Sequence, residues 1–295
     1  MKAVGIVRGI WRFPVKSMGG ERLSATTITR AGLQGDRHWA LRNDVVGEIQ
    51  GGKKWPILMQ CVARYRTAIE ERARPAADIT LPDGRLTATD DPALAEHLTR
   101  LIGVAASLWP LQPADALQHY QRRAMTPAEM LADVQESFQR LPGEPLPDFS
   151  VFAPELQTFV SMPGDYFDAL PLHLLTTTAL SAMAAQNPRA NWDERRFRAN
   201  LVIEPIGDGL TSSPQHRAMP ELGWVGRGLC IGSAEIAAAM PTPRCGMTTR
   251  AQPGLAADAS VLRTIVAEAD QNLGIYARVV QDGDVQVGDT VFLRD

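Results

Sequence analysis

Cysteine is scarce in this 295-residue chain, which contains only Cys61, Cys230 and Cys245. The three lie far apart and their number is odd, so the sequence argues against a disulfide framework. No Cys-X-X-Cys pair or four-cysteine pattern is present, which argues against a self-contained iron–sulfur cluster or a cysteine-rich zinc site. We therefore expect a reduced protein with a cytoplasmic location.

An excess of one charge sign and long apolar runs are also missing. Thirty basic residues face 33 acidic ones, so the chain has no overall positive field that would bind nucleic acid or an anionic membrane. No stretch reaches the roughly 18 consecutive apolar residues that a membrane span needs. We expect no nucleic-acid or membrane partner, and any anion site must be local.

Length and patterning predict how the chain is divided. A prior of roughly 150 residues per domain favours two units, although one large domain remains possible. We predict a first unit at residues 1–110, a proline-rich connection at 111–163 that packs on the surface, and a second unit at 164–295. Strand patterns outnumber helical ones, so the expected fold class is mainly β with flanking helices (α+β).

Individual elements follow from periodicity and turn residues. Apolar or alternating segments bounded by Gly, Pro and Asp predict strands at residues 3–11, 22–29, 37–41, 199–204, 228–239 and 290–293. Asp-Gly turns predict hairpins at 79–87 and 276–287. Capping signals predict helices at 92–101, 176–186 and 259–272, and a helix is also expected within 125–141.

The tripeptide Arg244-Cys245-Gly246 carries the first chemical signal. A strand at residues 237–243 runs into this loop, and a guanidinium beside a loop thiol favours the thiolate, which is the nucleophilic and metal-binding form. Thr248 and Thr249 add hydroxyl groups close by. Taken alone, a single cysteine is more often a small buried hydrophobic residue, and we expect this role for Cys61.

Two basic and polar clusters accompany the cysteine. Lys16 and Ser17 lie on a loop after the first strand, near the Asp36-Arg37 pair, and residues 195–200 read Arg-Arg-Phe-Arg-Ala-Asn. Such groups at strand ends suit a phosphate and a polar heterocycle. The alternative is a solvated charged surface, which we favour for Arg195 and Arg196 but not for Arg198 and Asn200.

The order of these motifs resembles a known family. Residues 14–17 (PVKS), 35–41 (GDRHWAL), 197–204 (FRANLVIE), 241–249 (PTPRCGMTT) and 285–293 (VQVGDTVFL) resemble the MOSC family, named after the C-terminal part of molybdenum cofactor sulfurases. The chain is most similar to members with an N-terminal MOSC β-barrel domain, which include the mitochondrial amidoxime-reducing component and its bacterial relatives. The resemblance implies an N-terminal barrel-like unit, a C-terminal MOSC barrel and a molybdenum-pterin cofactor where they meet.

The resemblance also implies roles for particular residues. Cys245 would supply the thiolate ligand of the molybdenum and is the catalytic candidate. The positions that would bind the cofactor are Lys16, Ser17, Arg37, Thr176, Arg198, Asn200, Arg244 and Cys245. Pro243 departs from the small polar residue of the amidoxime reducers, so one hydrogen bond to the cofactor is absent or replaced.

Two functions from different classes remain open, and a third alternative is a structural protein whose site has decayed. The first is a molybdenum-dependent oxidoreductase that reduces a small N-hydroxylated substrate, such as an amidoxime or an N-hydroxylated base, to the amidine or amine. Its electrons would come from a separate flavin or iron–sulfur protein, and Asp36, His38 or Asp168 would assist proton transfer. The second is a carrier in which Cys245 holds a persulfide or hands the cofactor onward.

Overall fold

Strands dominate the chain, and seven of them close into a barrel. The computed structural model describes residues 1–69, 75–207 and 217–294. Its strands are β1 (Lys2–Arg12), β2 (Glu21–Leu23), β3 (Ala25–Thr29), β4 (Gly32–Leu33), β5 (Trp39–Asn43), β6 (Glu48–Gln50), β7 (Val62–Tyr65), β8 (Ala77–Thr80), β9 (Leu86–Ala88), β10 (Ala106–Pro110), β11 (Leu172–Thr176), β12 (Leu201–Pro205), β13 (Gly228–Ile231), β14 (Ala234–Pro243), β15 (Asn272–Gln281), β16 (Gly283–Gln286) and β17 (Thr290–Leu293).

Five α-helices lie wholly within the described ranges. They are α1 (Leu94–Ile102), α2 (Leu117–Tyr120), α3 (Pro127–Phe138), α4 (Thr177–Gln186) and α5 (Ala259–Glu268). None of the helices described is long and apolar enough to cross a membrane. The predicted class, mainly β with flanking helices, is confirmed.

The first strand closes the barrel formed by the second half of the chain. In order around the barrel the strands are β12, β11, β15, β14, β13, β17 and β1, and β1 pairs back onto β12. Ile6 lies opposite Glu204 of β12 and opposite Thr290 of β17, both in antiparallel register. The parallel pair β11 and β12 requires a crossover, which α4 provides. The β1 strand therefore belongs to the same sheet as β11, β12, β13, β14, β15 and β17.

The barrel interior is a continuous apolar core. Because successive side chains of a strand point to opposite faces, each strand sends alternate residues inward. Fully buried members include Val7, Ile10, Leu174, Ile203, Ile236 and Ile275. Burying each such side chain stabilises the fold by roughly 1.5–3 kcal/mol. This core holds the strand ends from which the site loops emerge.

Smaller sheets surround the loop after β1. One joins β10, β5 and β6, a second joins β7, β8 and β9, and a third joins β16, β3 and β4. A second apolar core, containing Leu41, Leu58 and Leu98, lies between α1 and these strands. The loop is tied to them because Lys16 N donates to Trp39 O and Gly19 N donates to Cys61 O.

Several predicted elements are confirmed. The strands at 3–11 and 290–293 correspond to β1 and β17, and the 79–87 hairpin is formed by β8 and β9. Thr176 caps α4 as predicted, since its hydroxyl accepts a hydrogen bond from Ala179 N. The helix within 125–141 is α3, and a capping box of Thr126 and Glu129 opens it. Cys61 is a fully buried core residue.

Other predicted boundaries were wrong. Residues 228–239 are two strands, since Gly232 takes a left-handed φ of 56° and reverses the chain. Residues 276–287 are not a hairpin, because β16 pairs with β3 and sends Val285 into the barrel core. The helix predicted from residue 92 begins at Leu94, and α5 ends at Glu268 rather than 272 because left-handed Asp270 and Gln271 turn the chain into β15.

The division into units at 1–110, 111–163 and 164–295 stays a prediction. Strand pairing runs across it, because β1 and β3 hydrogen-bond to strands of the last third of the chain. Within the predicted connection, the residues of α3 are all partly or fully exposed, whereas Tyr120 and Ser161 are fully buried.

Candidate functional site

Lys16 lies in a buried loop that follows the first barrel strand. The β1 strand ends at Arg12, and Lys16 is only 7% exposed. Its Nζ donates to Tyr166 O at 2.7 Å and to the Asp168 carboxylate at 2.8 Å. Burial lowers the pKa of Lys16, and the charge of Asp168 opposes this shift. The loop thus holds a desolvated cation beside a single carboxylate.

Ser17 holds the loop in an uncommon backbone conformation. Its φ is 70°, in the left-handed region that a residue with a Cβ rarely adopts. Its side chain faces Gly51 and Gly52, where a Cβ on Gly51 would lie 2.4 Å from Ser17 Oγ. Ser17 therefore shapes the contact between two loops.

Asp36 joins the two halves of the chain at this point. Its side chain is fully buried, and it accepts hydrogen bonds from Phe13 N at 2.7 Å and from Asn200 Nδ2 at 3.0 Å. Arg37 pairs with the same carboxylate. The Arg37 guanidinium carbon lies 5.2 Å from the Phe13 ring centroid and 5.7 Å from that of Phe167, within cation–π range.

Arg198 approaches the same ring from the second half of the chain. It has a left-handed φ of 55° after the 3₁₀ turn Glu194–Phe197, and its guanidinium carbon lies 4.2 Å from the Phe13 ring centroid. One nitrogen donates to Met18 O, whereas Nη2 is buried with no hydrogen-bond partner. Burial, together with the nearby positive charge of Arg37, lowers the pKa of Arg198 to about 9.

Arg244 and Cys245 leave the barrel at the end of β14. Arg244 Nη2 donates to Phe197 O at 2.9 Å, and Nη1 lies 3.4 Å from His173 Nε2. Its Nε is buried without a partner. Burial first, and then Arg244, hold the pKa of His173 well below its usual value, so this imidazole is neutral. Cys245 is a free, partly exposed thiol that begins the 3₁₀ turn Gly246–Thr249.

Electrostatic contacts link these loops into one cluster, which we call the cation cluster: Lys16, Arg37, Lys53, Arg198 and Arg244. Two carboxylates, Asp36 and Asp168, lie among these five cations. Arg244 is also close enough to Cys245 for their charges to interact. The structure therefore brings together the basic positions predicted from both halves of the sequence.

The cation cluster has the donors that an anion requires. Arg198 Nη2 and Arg244 Nε are buried N–H groups without acceptors, and an unpaired buried donor costs roughly 1–3 kcal/mol. A phosphate oxygen would satisfy such donors through charge-assisted hydrogen bonds. Within the described ranges no three His, Cys, Asp or Glu side chains form a possible metal site. A metal held here would take its protein ligand from Cys245, which fits a cofactor that brings its own ligands.

Three predicted positions have other partners. The Thr176 hydroxyl is fully buried, caps α4 and donates to Glu221 Oε2 at 2.5 Å. Asn200 is bound to Asp36, to Trp11 O and to His173 N, so it fixes the loops in place. Arg196, expected on a solvated surface, is 1% exposed and donates to backbone carbonyls, among them Ala256 O at 2.8 Å. That expectation was wrong because this guanidinium fills a gap between loops.

Residues 138–140, within the predicted connection, supply contacts that the sequence did not indicate. Gln139 Oε1 accepts from Thr249 Oγ1 at 3.1 Å, and Arg140 Nη2 donates to Arg244 O at 3.2 Å. Lys53 lies over the Phe138 ring at 5.7 Å. No motif marks these residues, since the only pattern at 139–140 is the end of a helix.

Comparisons with known proteins agree with this architecture. The model of the MOSC N-terminal beta barrel domain matches residues 4–102, and that of the MOSC domain matches residues 165–292. No curated protein matches the sequence.

Solved structures show only remote likeness. YUAD protein from Bacillus subtilis is 10% identical with a TM-score of 0.44, over 98% of this chain and 95% of that one. YiiM from Geobacillus stearothermophilus is 13% identical with a TM-score of 0.30, over 43% of this chain and 55% of that one. YiiM from Escherichia coli is 14% identical with a TM-score of 0.29, over the same shares.

Proposed function

The chain belongs to the MOSC family and carries the family's N-terminal beta barrel domain, and on this premise we propose that it is a molybdenum-cofactor-dependent oxidoreductase. The observation that carries the proposal is the cation cluster, which contains two unpaired buried N–H groups, one on Arg198 and one on Arg244, the residue that precedes Cys245. Neither a structural salt-bridge network nor a solvated surface requires buried donors without acceptors.

The residues divide into charge-carrying and orienting groups. Lys16, Arg37 and Arg198 would neutralise the phosphate of the cofactor and fix its pterin, and the unpaired Nε of Arg244 would offer a further donor. Asn200 and Asp36 hold the two loops at a constant separation. Cys245 supplies a soft thiolate, the ligand type that suits a transition metal.

The proposed reaction reduces an N-hydroxylated compound, such as an amidoxime or an N-hydroxylated base. The N–O bond breaks, two electrons and two protons are consumed, and the amidine or amine leaves with one water molecule. The bound molybdenum would supply the two-electron chemistry. In this proposal the electrons come from a separate flavin or iron–sulfur protein.

A sulfur or cofactor carrier is the second candidate. The observation in its favour is that Cys245 is free and partly exposed at the start of a loop turn, where a persulfide would be accessible. A persulfide carrier needs no stoichiometric metal, so metal content separates the two proposals.

Metal and pterin analysis is the decisive experiment. Wild type, Cys245→Ala and a matched Cys230→Ala control are purified from a host that makes the cofactor, then analysed by plasma mass spectrometry and by pterin fluorescence after oxidation. We expect near-equimolar molybdenum and pterin in wild type and in the Cys230 variant, and reduced molybdenum in the Cys245 variant. Wild type without molybdenum or pterin would refute the oxidoreductase proposal and favour the carrier.

Activity is then measured on the loaded protein. Reduced methyl viologen serves as the electron donor and a synthetic amidoxime as the substrate, and product amidine is quantified by chromatography. We expect turnover with wild type and loss of turnover with Cys245→Ala. A loaded wild type that consumes neither the donor nor the amidoxime would contradict the proposed substrate class.

A further inference from the structure

Asp168 is the accessible carboxylate of the cation cluster. Its Oδ1 lies 2.8 Å from Lys16 Nζ, and 55% of its side-chain surface is exposed, whereas the Lys16 side chain is only 9% exposed. Although desolvation acts to raise the pKa of Asp168, Lys16 first, and then Lys53 and Arg37, hold it far below its usual range. Asp168 is therefore charged at neutral pH.

Asp36, the other carboxylate of the cation cluster, differs from Asp168 in its burial and its hydrogen bonds. It is completely enclosed and accepts hydrogen bonds from a backbone N–H group and an amide, so it cannot leave without breaking the fold. Asp168 has one strong partner, Lys16, and faces solvent on its remaining surface. Its neighbour Asp165 is tied to Phe167 N by its own side chain and has no ion pair with Lys16 among the residues described.

Lys16 has a second, fixed partner that remains when Asp168 moves. Its Nζ also donates to Tyr166 O at 2.7 Å, and the Tyr166 ring is completely buried. An ammonium group offers three donors, so Lys16 can keep this carbonyl and exchange a carboxylate for another anion. The exchange leaves the buried cation neutralised throughout, which avoids the cost of an unpaired buried charge.

We infer that Asp168 is an exchangeable counter-ion, displaced from Lys16 when a phosphate group enters the cation cluster. This inference rests on the proposed function, because the phosphate is taken to be that of the cofactor. Asp168 competes with the incoming anion for Lys16 and repels it afterwards. The residue therefore lowers phosphate affinity and keeps the buried lysine charged when no phosphate is bound.

The test measures phosphate binding rather than catalysis. Protein is purified from a host that cannot make the pterin cofactor, and inorganic phosphate is titrated into wild type, Asp168→Asn and Asp168→Glu by calorimetry at constant ionic strength. Glu96→Gln is the matched control, since it removes one charge from an exposed carboxylate of α1 that pairs with Arg100. Circular dichroism melts establish that each variant is folded.

We expect Asp168→Asn to bind phosphate about tenfold more tightly than wild type, the order of magnitude for removing one nearby like charge. Asp168→Glu keeps the charge and should stay within about threefold of wild type, as should Glu96→Gln, whose removed charge lies at the surface. Unchanged or weaker binding by Asp168→Asn would overturn the inference, and so would a wild type and variants that bind no phosphate.

A second measurement keeps this inference separate from the proposed function. Molybdenum and pterin are quantified in wild type from a cofactor-producing host. If Asp168→Asn binds phosphate more tightly and wild type contains no molybdenum, the counter-ion role of Asp168 is supported and binding of the cofactor is refuted. The phosphate group would then belong to another ligand. Molybdenum in wild type without a change in phosphate affinity would refute the counter-ion alone.

Discussion

Replacing Asp36 by alanine probes how the two halves of the cation cluster are joined. The substitution removes the acceptor of Phe13 N, of Asn200 Nδ2 and of the Arg37 guanidinium in one step. All three donors lie where little water reaches them. The structure therefore predicts a loss of stability far larger than that of a surface substitution.

The size of this loss of stability depends on whether each donor finds another acceptor. Breaking a buried ion pair by removing one partner costs about 3–5 kcal/mol, and each unsatisfied buried donor about 1–3 kcal/mol. Asn200 keeps its bond to Trp11 O, and the Arg37 side chain is 12% exposed and can recruit water, so the terms do not add fully. We expect Asp36→Ala to lower the free energy of unfolding by about 3–5 kcal/mol.

Urea denaturation followed by fluorescence and circular dichroism measures this loss. Asp36→Asn removes the charge but keeps the shape of the side chain. Its amide oxygen still accepts from Phe13 N, whereas its N–H group faces other donors, so the free energy of unfolding should fall by about 2–4 kcal/mol. Asp44→Ala is the control, because that exposed carboxylate accepts from Ser107 Oγ and should cost less than about 1 kcal/mol. An Asp36→Ala protein as stable as the Asp44 variant would refute the assigned role.

Three further predictions concern stability and order. Burial raises the pKa of Glu221 from 4.5 to about 7, so the folded state binds one more proton than the unfolded state between these pH values. The free energy of unfolding should therefore fall by up to about 3 kcal/mol as the pH rises from about 4.5 to 7. Urea titrations at several pH values should show a smaller pH dependence for Glu221→Gln. Gly5→Ala places a Cβ 2.5 Å from Ile203 Cγ2 and should lower the free energy of unfolding by about 1–3 kcal/mol. Gly9→Ala meets only ordinary contacts and should lower it by less than about 1 kcal/mol. Thermal melting with a precision of about 0.5 kcal/mol separates the two variants. Lys54→Ala removes the ion pairs that join Lys54 to two carboxylates of α3. Hydrogen exchange of that helix should accelerate by about threefold without a change in the melting temperature. Unchanged exchange would show that these ion pairs do not hold the helix in place.

Local signals predicted most single elements. Alternating apolar residues marked β1, the Asp83-Gly84 turn marked the hairpin of β8 and β9, and Thr176 marked the start of α4. Each signal acts within a few residues, so it can be recognised without the rest of the chain. The failures concern partners: the turn at Gly283 suggested a hairpin, but β16 pairs with β3, some 250 residues away in sequence.

The site was predictable as a set of residue types but not as an arrangement. Lys16, Arg37 and Arg198 were singled out because basic groups at strand ends suit a phosphate, and Arg244 because a guanidinium beside a loop thiol favours the thiolate. Sequence alone predicted the helix cap by Thr176 but did not reveal that its hydroxyl also donates to Glu221.

The amino-acid sequence by itself determined the mainly β class, the capped helices and the chemical inventory of thiol, guanidinium and ammonium groups, because these depend on short-range patterning and side-chain chemistry. Only the tertiary structure decided that β1 closes the barrel of the second half, that Arg37 and Arg198 flank one phenylalanine ring, and that Asp168 faces Lys16 across 152 residues of sequence. Burial and hydrogen-bond pairing between distant segments set these features. The free energy of such contacts depends on which surfaces the whole fold removes from water.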